Sequence, residues 1–131
     1  MTAVFAALTQ PEQLVAWWGS DDSYRLTNTT SDLRVSGAWE STGSGADGFT
    51  FTVSGIYRIV EPPHALEFTW HFNWPNSDGA AESIVRYDLS ERAAGTELRI
   101  WHSGFETVED RDAQAAGWKI VLGWLSAFLT R

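Results

Sequence analysis

The chain has no cysteine and a single lysine, Lys119, among nine cationic side chains set against seventeen carboxylates. Without cysteine there is no disulfide framework, no thiol nucleophile and no thiolate metal site. With a net charge of −8 and no cluster of arginines, the surface repels nucleic acid and anionic membrane, and neither is expected as a partner. No stretch approaches the roughly 20 apolar residues that span a bilayer, and no charged-then-apolar leader opens the chain, so a cytoplasmic protein is expected. Catalytic signatures are scarce too. There is no His-Glu-x-x-His and no other histidine pair at i, i+4, so no metal site is expected, and there is no Gly-x-Ser-x-Gly elbow of a serine hydrolase. The stretch Gly43-Ser44-Gly45-Ala46-Asp47-Gly48 lacks the strand-to-helix setting and the Lys-Ser/Thr ending of a phosphate cradle, and reads as a hairpin loop. No cofactor is expected.

Aromatic surface is what the chain has in excess, with 8 Trp, 7 Phe and 3 Tyr in 131 residues. That length makes one domain, residues 1–131, able to bury about two-thirds of the surface its unfolded form exposes. Val4 to Leu8 reads as a short helix ending at Thr9, and Pro11 at a first-turn position opens a second, Pro11 to Trp18, closed by Gly19. Strands follow: Tyr24 to Ser31, a polar edge strand, then Ala38 to Thr42, then Phe49 to Val60 with Phe49, Phe51, Val53, Tyr57 and Ile59 on one face. The next places Leu66, Phe68, Trp70 and Phe72 together, the next Ser83, Val85, Tyr87 and Leu89, and the last, Thr96 to Ser103, aligns Leu98, Ile100 and His102. Turns at Ser36-Gly37, Glu61 to His64, Pro75 to Gly79 and Ala94-Gly95 join them as an antiparallel meander.

The final element is a helix over Ala113 to Phe128, apolar almost all round, behind an acidic lead-in from Glu106 to Asp112 with Thr107 as its cap. Trp118, Val121, Leu122, Leu125 and Phe128 form one stripe, enough to seat the helix on a sheet. Ile120, Trp124 and Ala127 form a second, which needs a sheet curved enough to grip the helix, or a cavity or partner against its free side. Gly117 and Gly123 lie inside this helix at a cost of about 1 kcal/mol each relative to Ala, offset either by close approach of the sheet or by room for a ligand.

Specific residues carry a family likeness. Val4-Phe5-Ala6-Ala7-Leu8-Thr9 followed by Pro11-Glu12 and Leu14, then Trp17-Trp18-Gly19, Asp32-Leu33-Arg34 and Gly37-Ala38-Trp39 come first. Val53-Ser54-Gly55-Ile56-Tyr57, Pro62-Pro63-His64-Ala65-Leu66-Glu67-Phe68-Thr69-Trp70, His102-Ser103-Gly104-Phe105 and Ala116-Gly117-Trp118 follow in the same order. The chain resembles the bacterial proteins similar to the activator of heat-shock protein 90 ATPase, within the START-like or SRPBCC superfamily. The resemblance implies an α+β helix-grip fold: two short helices, then a curved antiparallel sheet wrapped around a long C-terminal helix. Members of this family begin with a strand of about ten residues, whereas only Met1, Thr2 and Ala3 precede the first helix here. In the helix-grip fold that strand lies beside the last one, so its loss would bare the edge of Thr96 to Ser103, next to Trp101. A homodimer paired through that strand is expected; otherwise the sheet stays open and the container incomplete.

Face parity assigns a lining for the space under the helix: Trp39, Phe51, Tyr57, Phe68, Trp70, Tyr87 and His102 from the sheet, facing Ile120 and Trp124. Such a lining would hold a flat or aliphatic molecule by burial, oriented by Tyr57, Tyr87 and His102. The same rings could instead fill the interior themselves. Trp17 and Trp18 read as plugs between the second helix and the sheet, and Gly19 and Gly37 as turn residues. The first functional reading is therefore non-enzymatic binding of a small apolar or aromatic ligand. The second is a protein-interaction or chaperone-associated module, as the family name implies, although in the eukaryotic activators a separate N-terminal domain accompanies the similar one and 131 residues leave no room for it. The third is a cyclase- or hydrolase-like enzyme using His102 or Tyr87 as acid or base, disfavoured because no carboxylate shares the cavity parity to tune the imidazole.

Overall fold

In the computed structural model the chain runs helix, helix, six strands, helix, and the structure describes residues 2–20, 24–45, 48–73, 83–93, 95–104 and 108–130. Helix α1 is Thr2–Thr9 and α2 is Pro11–Trp17; strands β1 to β6 are Tyr24–Ser31, Ala38–Gly45, Thr50–Glu61, Ala65–Asn73, Ser83–Arg92 and Gly95–Ser103; α3 is Val108–Leu129. The expected break at Pro75 to Gly79 and the cap at Thr107 lie outside the described residues.

The two short helices follow from local chemistry. Pro11 stands at the start of α2, where a missing N–H costs nothing, and Thr9 turns its hydroxyl onto the Phe5 carbonyl at 2.8 Å, closing α1. Gly19, with φ +129°, then turns the chain so that its backbone meets β1: a side chain there would strike the Tyr24 carbonyl, and the Leu26 N–H donates to Trp18 O at 3.2 Å.

All strand pairs are antiparallel, in the simple order β1-β2-β3-β4-β5-β6, so sequence neighbours are spatial neighbours. One face carries the core. Val85, Tyr87 and Leu89 of β5, Leu66 and Phe68 of β4 and Tyr57 of β3 are all buried, and α3 brings Val121 and Leu125 down onto them. The opposite face is wet: Glu67 lies between Arg58 at 3.5 Å and Arg86 at 3.7 Å, with Asp88 on Arg86 at 3.0 Å. Such half-exposed pairs contribute little to stability.

Two bulges modify the expected faces. Pairing shifts by one residue between Tyr57 and Ile59, so Tyr57 sits opposite Phe68 but Ile59 opposite Glu67. Ile59 is thereby carried to the outer face, and Val60, opposite Leu66, packs on the core in its place. A second shift, at Thr27 in β1, lets Leu26 and Thr29 both point inward. Strand β2 also runs longer than expected, because Gly43 pairs with both β1 and β3, Ser44 likewise, and Gly45 with β1 before the hairpin turns.

The final helix starts five residues before the expected position, and its second apolar stripe is not buried as a unit. Val121 and Leu125 are buried, with Trp118, Trp124 and Phe128 flanking them, whereas Ile120 is 58% exposed and Leu122 36%, and Ala127 faces solvent. At about 100° per residue, Ile120 lies a quarter-turn and more from the Val121–Leu125 line, too far round for the sheet to reach. The sheet curls around one side of α3 only.

Candidate functional site

Between the sheet and the helices lies a cavity of about 290 Å³. Its floor is Trp39 and Ser41 of β2, Phe51, Val53 and Tyr57 of β3, Leu66, Phe68 and Trp70 of β4 and Tyr87 of β5, with Tyr24 and Leu26 of β1 at one side. Its roof is Leu8, Leu14 and Trp18 from the first two helices and Gly117, Trp118 and Val121 from α3. The aromatic parts interlock edge to face: Trp39 on Phe68 at 5.3 Å, Phe68 on Tyr87 at 5.3 Å and Tyr24 on Phe51 at 5.3 Å between ring centroids.

Gly117 distinguishes the two readings of the helical glycines. Nothing lies within 4 Å of where its Cβ would stand, and the residue borders the cavity. Close approach of the sheet is therefore not the reason for glycine at that position; free volume is what the missing side chain leaves. Gly123 also has nothing within 4 Å, but it faces solvent.

Of the nine residues assigned to the lining, Trp39, Phe51, Tyr57, Phe68, Trp70 and Tyr87 surround the cavity. The other three do not. Ile120 points to solvent, Trp124 stands beside the cavity with its ring 5.5 Å from that of Tyr24, and His102 lies behind Trp118. Trp18, read as a plug, is part of the roof, while Trp17 is the buried plug, its indole N–H donating to the Ala7 carbonyl at 2.8 Å. Tyr24 and Leu26 were hidden by reading β1 as a polar edge; Val53 and Leu66 share the parity of the rings already chosen and were legible as lining.

The polar groups are arranged differently from expectation. Trp118 donates its indole N–H to His102 Nδ1 at 3.1 Å, which leaves the proton of the neutral ring on Nε2, 2.7 Å from Ser83 Oγ. Ser83 in turn reaches the Trp70 carbonyl at 3.3 Å. The chain of contacts runs from α3 across β6 and β5 to β4, and burial pushes His102 down to about 4, so the ring is neutral at pH 7. It fastens the helix to the sheet. The Tyr57 hydroxyl is held by Ser31 Oγ at 2.7 Å, and Thr29 and Ser41 bond each other at 2.9 Å. Burial raises the Tyr87 phenol far above its ordinary value, with the neighbouring Tyr57 adding to the shift, so it stays protonated. Among the described residues no group of His, Asp and Glu is close enough to hold a metal ion, and no helix is long and apolar enough to cross a membrane.

A single curled antiparallel sheet closing on one long helix, with an apolar cavity between them, defines a START-like helix-grip domain. The family model for activator of Hsp90 ATPase homolog 1-like proteins matches residues 1–130, and the chain belongs to that family. Among solved structures it is similar to a protein from Rhodobacter sphaeroides, at 27% identity and a TM-score of 0.81 over 98% of this chain and 84% of that one. It is equally similar to the AHSA1 protein from Silicibacter pomeroyi, at 27% identity and 0.81 over 98% and 89% of the two chains. The AHSA1-like protein from Aeromonas hydrophila shares the fold at 24% identity and 0.79, over 98% and 83%. No curated protein matches the sequence.

Proposed function

We propose that this protein binds a small apolar or aromatic molecule, without chemistry of its own, in the cavity between sheet and helix. The observation that carries the reading is the 290 Å³ space itself, walled by aromatic and aliphatic side chains and left open at Gly117. A cavity of about 150 Å³ lined by such side chains takes up benzene, so this one suits a molecule of about two fused rings. Burial of apolar area at about 25 cal/mol per Å² would drive the association. Neither residue considered as acid or base is placed to take up a proton: His102 is engaged at each ring nitrogen, and burial keeps the Tyr87 phenol protonated. That supports a container over a catalyst.

Native mass spectrometry of protein purified from its own host, followed by thermal denaturation with two-ring hydrocarbons, tests the reading. A retained small apolar mass, or a melting temperature rising with ligand as RT ln(1 + [L]/Kd) requires, is the expected outcome. Absence of both, with Gly117→Leu behaving like wild type toward every probe, would refute it.

A further inference from the structure

A hydroxyl has one proton to give and two lone pairs to receive with, so two hydroxyls that bond each other use one proton and leave one over. Thr29 and Ser41 are such a pair, directly opposite each other across β1 and β2, with their oxygens 2.9 Å apart. The bulge at Thr27 is what turns Thr29 inward to meet Ser41. Both are buried, at 8% and 6% exposure, so bulk water does not collect the second proton, and neither hydroxyl has another partner among the described residues. Buried donors are seldom left in that state. Ser41 is also part of the cavity floor, opposite Val53 on β3. Its side chain ends at the hydroxyl, one atom beyond Cβ, so the piece of wall it forms on the inward face is the hydroxyl itself. Other polar groups of the wall stand differently. Tyr24 accepts from Trp18 at 3.2 Å and is itself half-buried, and Tyr57 is bonded to the half-exposed Ser31, so the remaining proton in each case has a route to solvent. The indole Nε1 atoms of Trp39 and Trp70 are unpaired but closed off inside the wall, out of a ligand's reach. None of the described residues lining the cavity is charged, so an ionised group placed there would go uncompensated.

We infer that the ligand of this cavity is an uncharged ring compound carrying a carbonyl-type oxygen, which accepts the hydrogen bond of Ser41. The inference rests on the cavity being a ligand site and adds the polar half of its specificity. Thr29 then donates to Ser41 and Ser41 to the ligand, each bond polarising the next. The bond between the strands accounts for one proton of the pair; an acceptor in the cavity accounts for the other, and a ligand without one forgoes that gain.

Isothermal titration with three probes on one frame, 1-indanone, indane and indane-1-carboxylate, separates the possibilities. Wild type is expected to bind 1-indanone about tenfold more tightly than indane, and the carboxylate more weakly than either. In Ser41→Ala, which removes one oxygen and no carbon, the preference for the ketone over indane is expected to disappear; a purely structural role for Ser41 would move both compounds together and keep the ratio. The double variant Thr29→Val/Ser41→Ala leaves no unpaired hydroxyl behind and serves if the single one does not fold. Equal binding of ketone and hydrocarbon by wild type would overturn the acceptor proposal while leaving the cavity reading intact; a water retained on Ser41 would produce that result. A preference that survives Ser41→Ala but is lost in Tyr87→Phe would move the contact to Tyr87 and overturn the assignment, and a carboxylate bound as tightly as the ketone would overturn the uncharged ligand. Binding of none of the three would overturn both the inference and the cavity reading.

Discussion

Replacing Gly117 by alanine adds one methyl group at a helix position where nothing lies within 4 Å of the new atom. Two effects then act in the same direction. Removing glycine from a helix interior is worth about 1 kcal/mol, and the methyl, facing the cavity, gains up to about 0.8 kcal/mol from burial. With an unfolding entropy of about 2.1 cal/mol/K per residue, 131 residues give about 0.28 kcal/mol/K. A gain of about 1–2 kcal/mol therefore raises the melting temperature by about 4–7 °C, read by differential scanning calorimetry without ligand. Gly123→Ala is the control. It shares the helix and the open space but faces solvent, so it should show the propensity gain alone. The two variants should part on ligand binding: Gly117→Ala weakens uptake of a two-ring probe and Gly117→Leu abolishes it, while Gly123→Ala leaves it unchanged. A Gly117→Ala protein melting below wild type would show that α3 seats closely at this point and that no free volume lies beside Gly117.

Four further outcomes follow from the same structure. Gly55→Ala drives a Cβ into the Thr69 backbone carbonyl and against the Trp39 indole, so it should destabilise by about 1–3 kcal/mol in urea titration; a neutral result would contradict the close approach. Trp118→Phe leaves His102 Nδ1 without its donor and should cost about 1–3 kcal/mol, and recovery of wild-type stability in the double variant with His102→Phe would show that the link matters as a pair. The unfolded His102 ring takes up a proton near 6.5 and the folded ring only near 4, so the unfolded state binds more protons between those values and stability falls as the pH drops through that window. The gap in urea midpoint between wild type and His102→Gln should accordingly narrow from pH 7 to pH 4.5, the carboxylates common to both cancelling; a constant gap would refute the assignment. Finally, β6 ends the sheet and Trp101 is 49% exposed, and pairing of that edge with a second copy should give a sedimenting species of twice 14.6 kDa at micromolar concentration, whereas a monomer would rule it out.

Much of the architecture was readable because β5 alternates cleanly, as do most of β4 and the first half of β3. Phe51, Phe68, Trp70 and Tyr87 came to the cavity by simple parity. Parity failed where a bulge added a residue: at Arg58 it sent Ile59 outward, and at Thr27 it obscured the inward Leu26. Such irregularities arise from pairing between strands, which no single strand's pattern records. On α3, composition alone could not say which apolar side chains face the sheet, because the pattern is apolar nearly all round, and Ile120 was placed inside when it lies outside. The polar chemistry was the least legible part. His102 was correctly placed as an interior imidazole, but its engagement by Trp118 and Ser83 depends on three elements meeting, and so does the isolation of the Trp39 and Trp70 indoles.

A ligand that enters the space under α3 comes against several of the chain's eight tryptophans, and these provide the readout. Assigned indole N–H resonances, followed by ¹H–¹⁵N correlation spectra during titration with 1-indanone, report the ligand's position directly. Saturable shifts are expected at Trp18, Trp39, Trp70 and Trp118, which line the cavity, with Trp101 on the exposed edge unmoved. Shifts confined to Trp101, or none at saturating ligand, would rule out binding under α3.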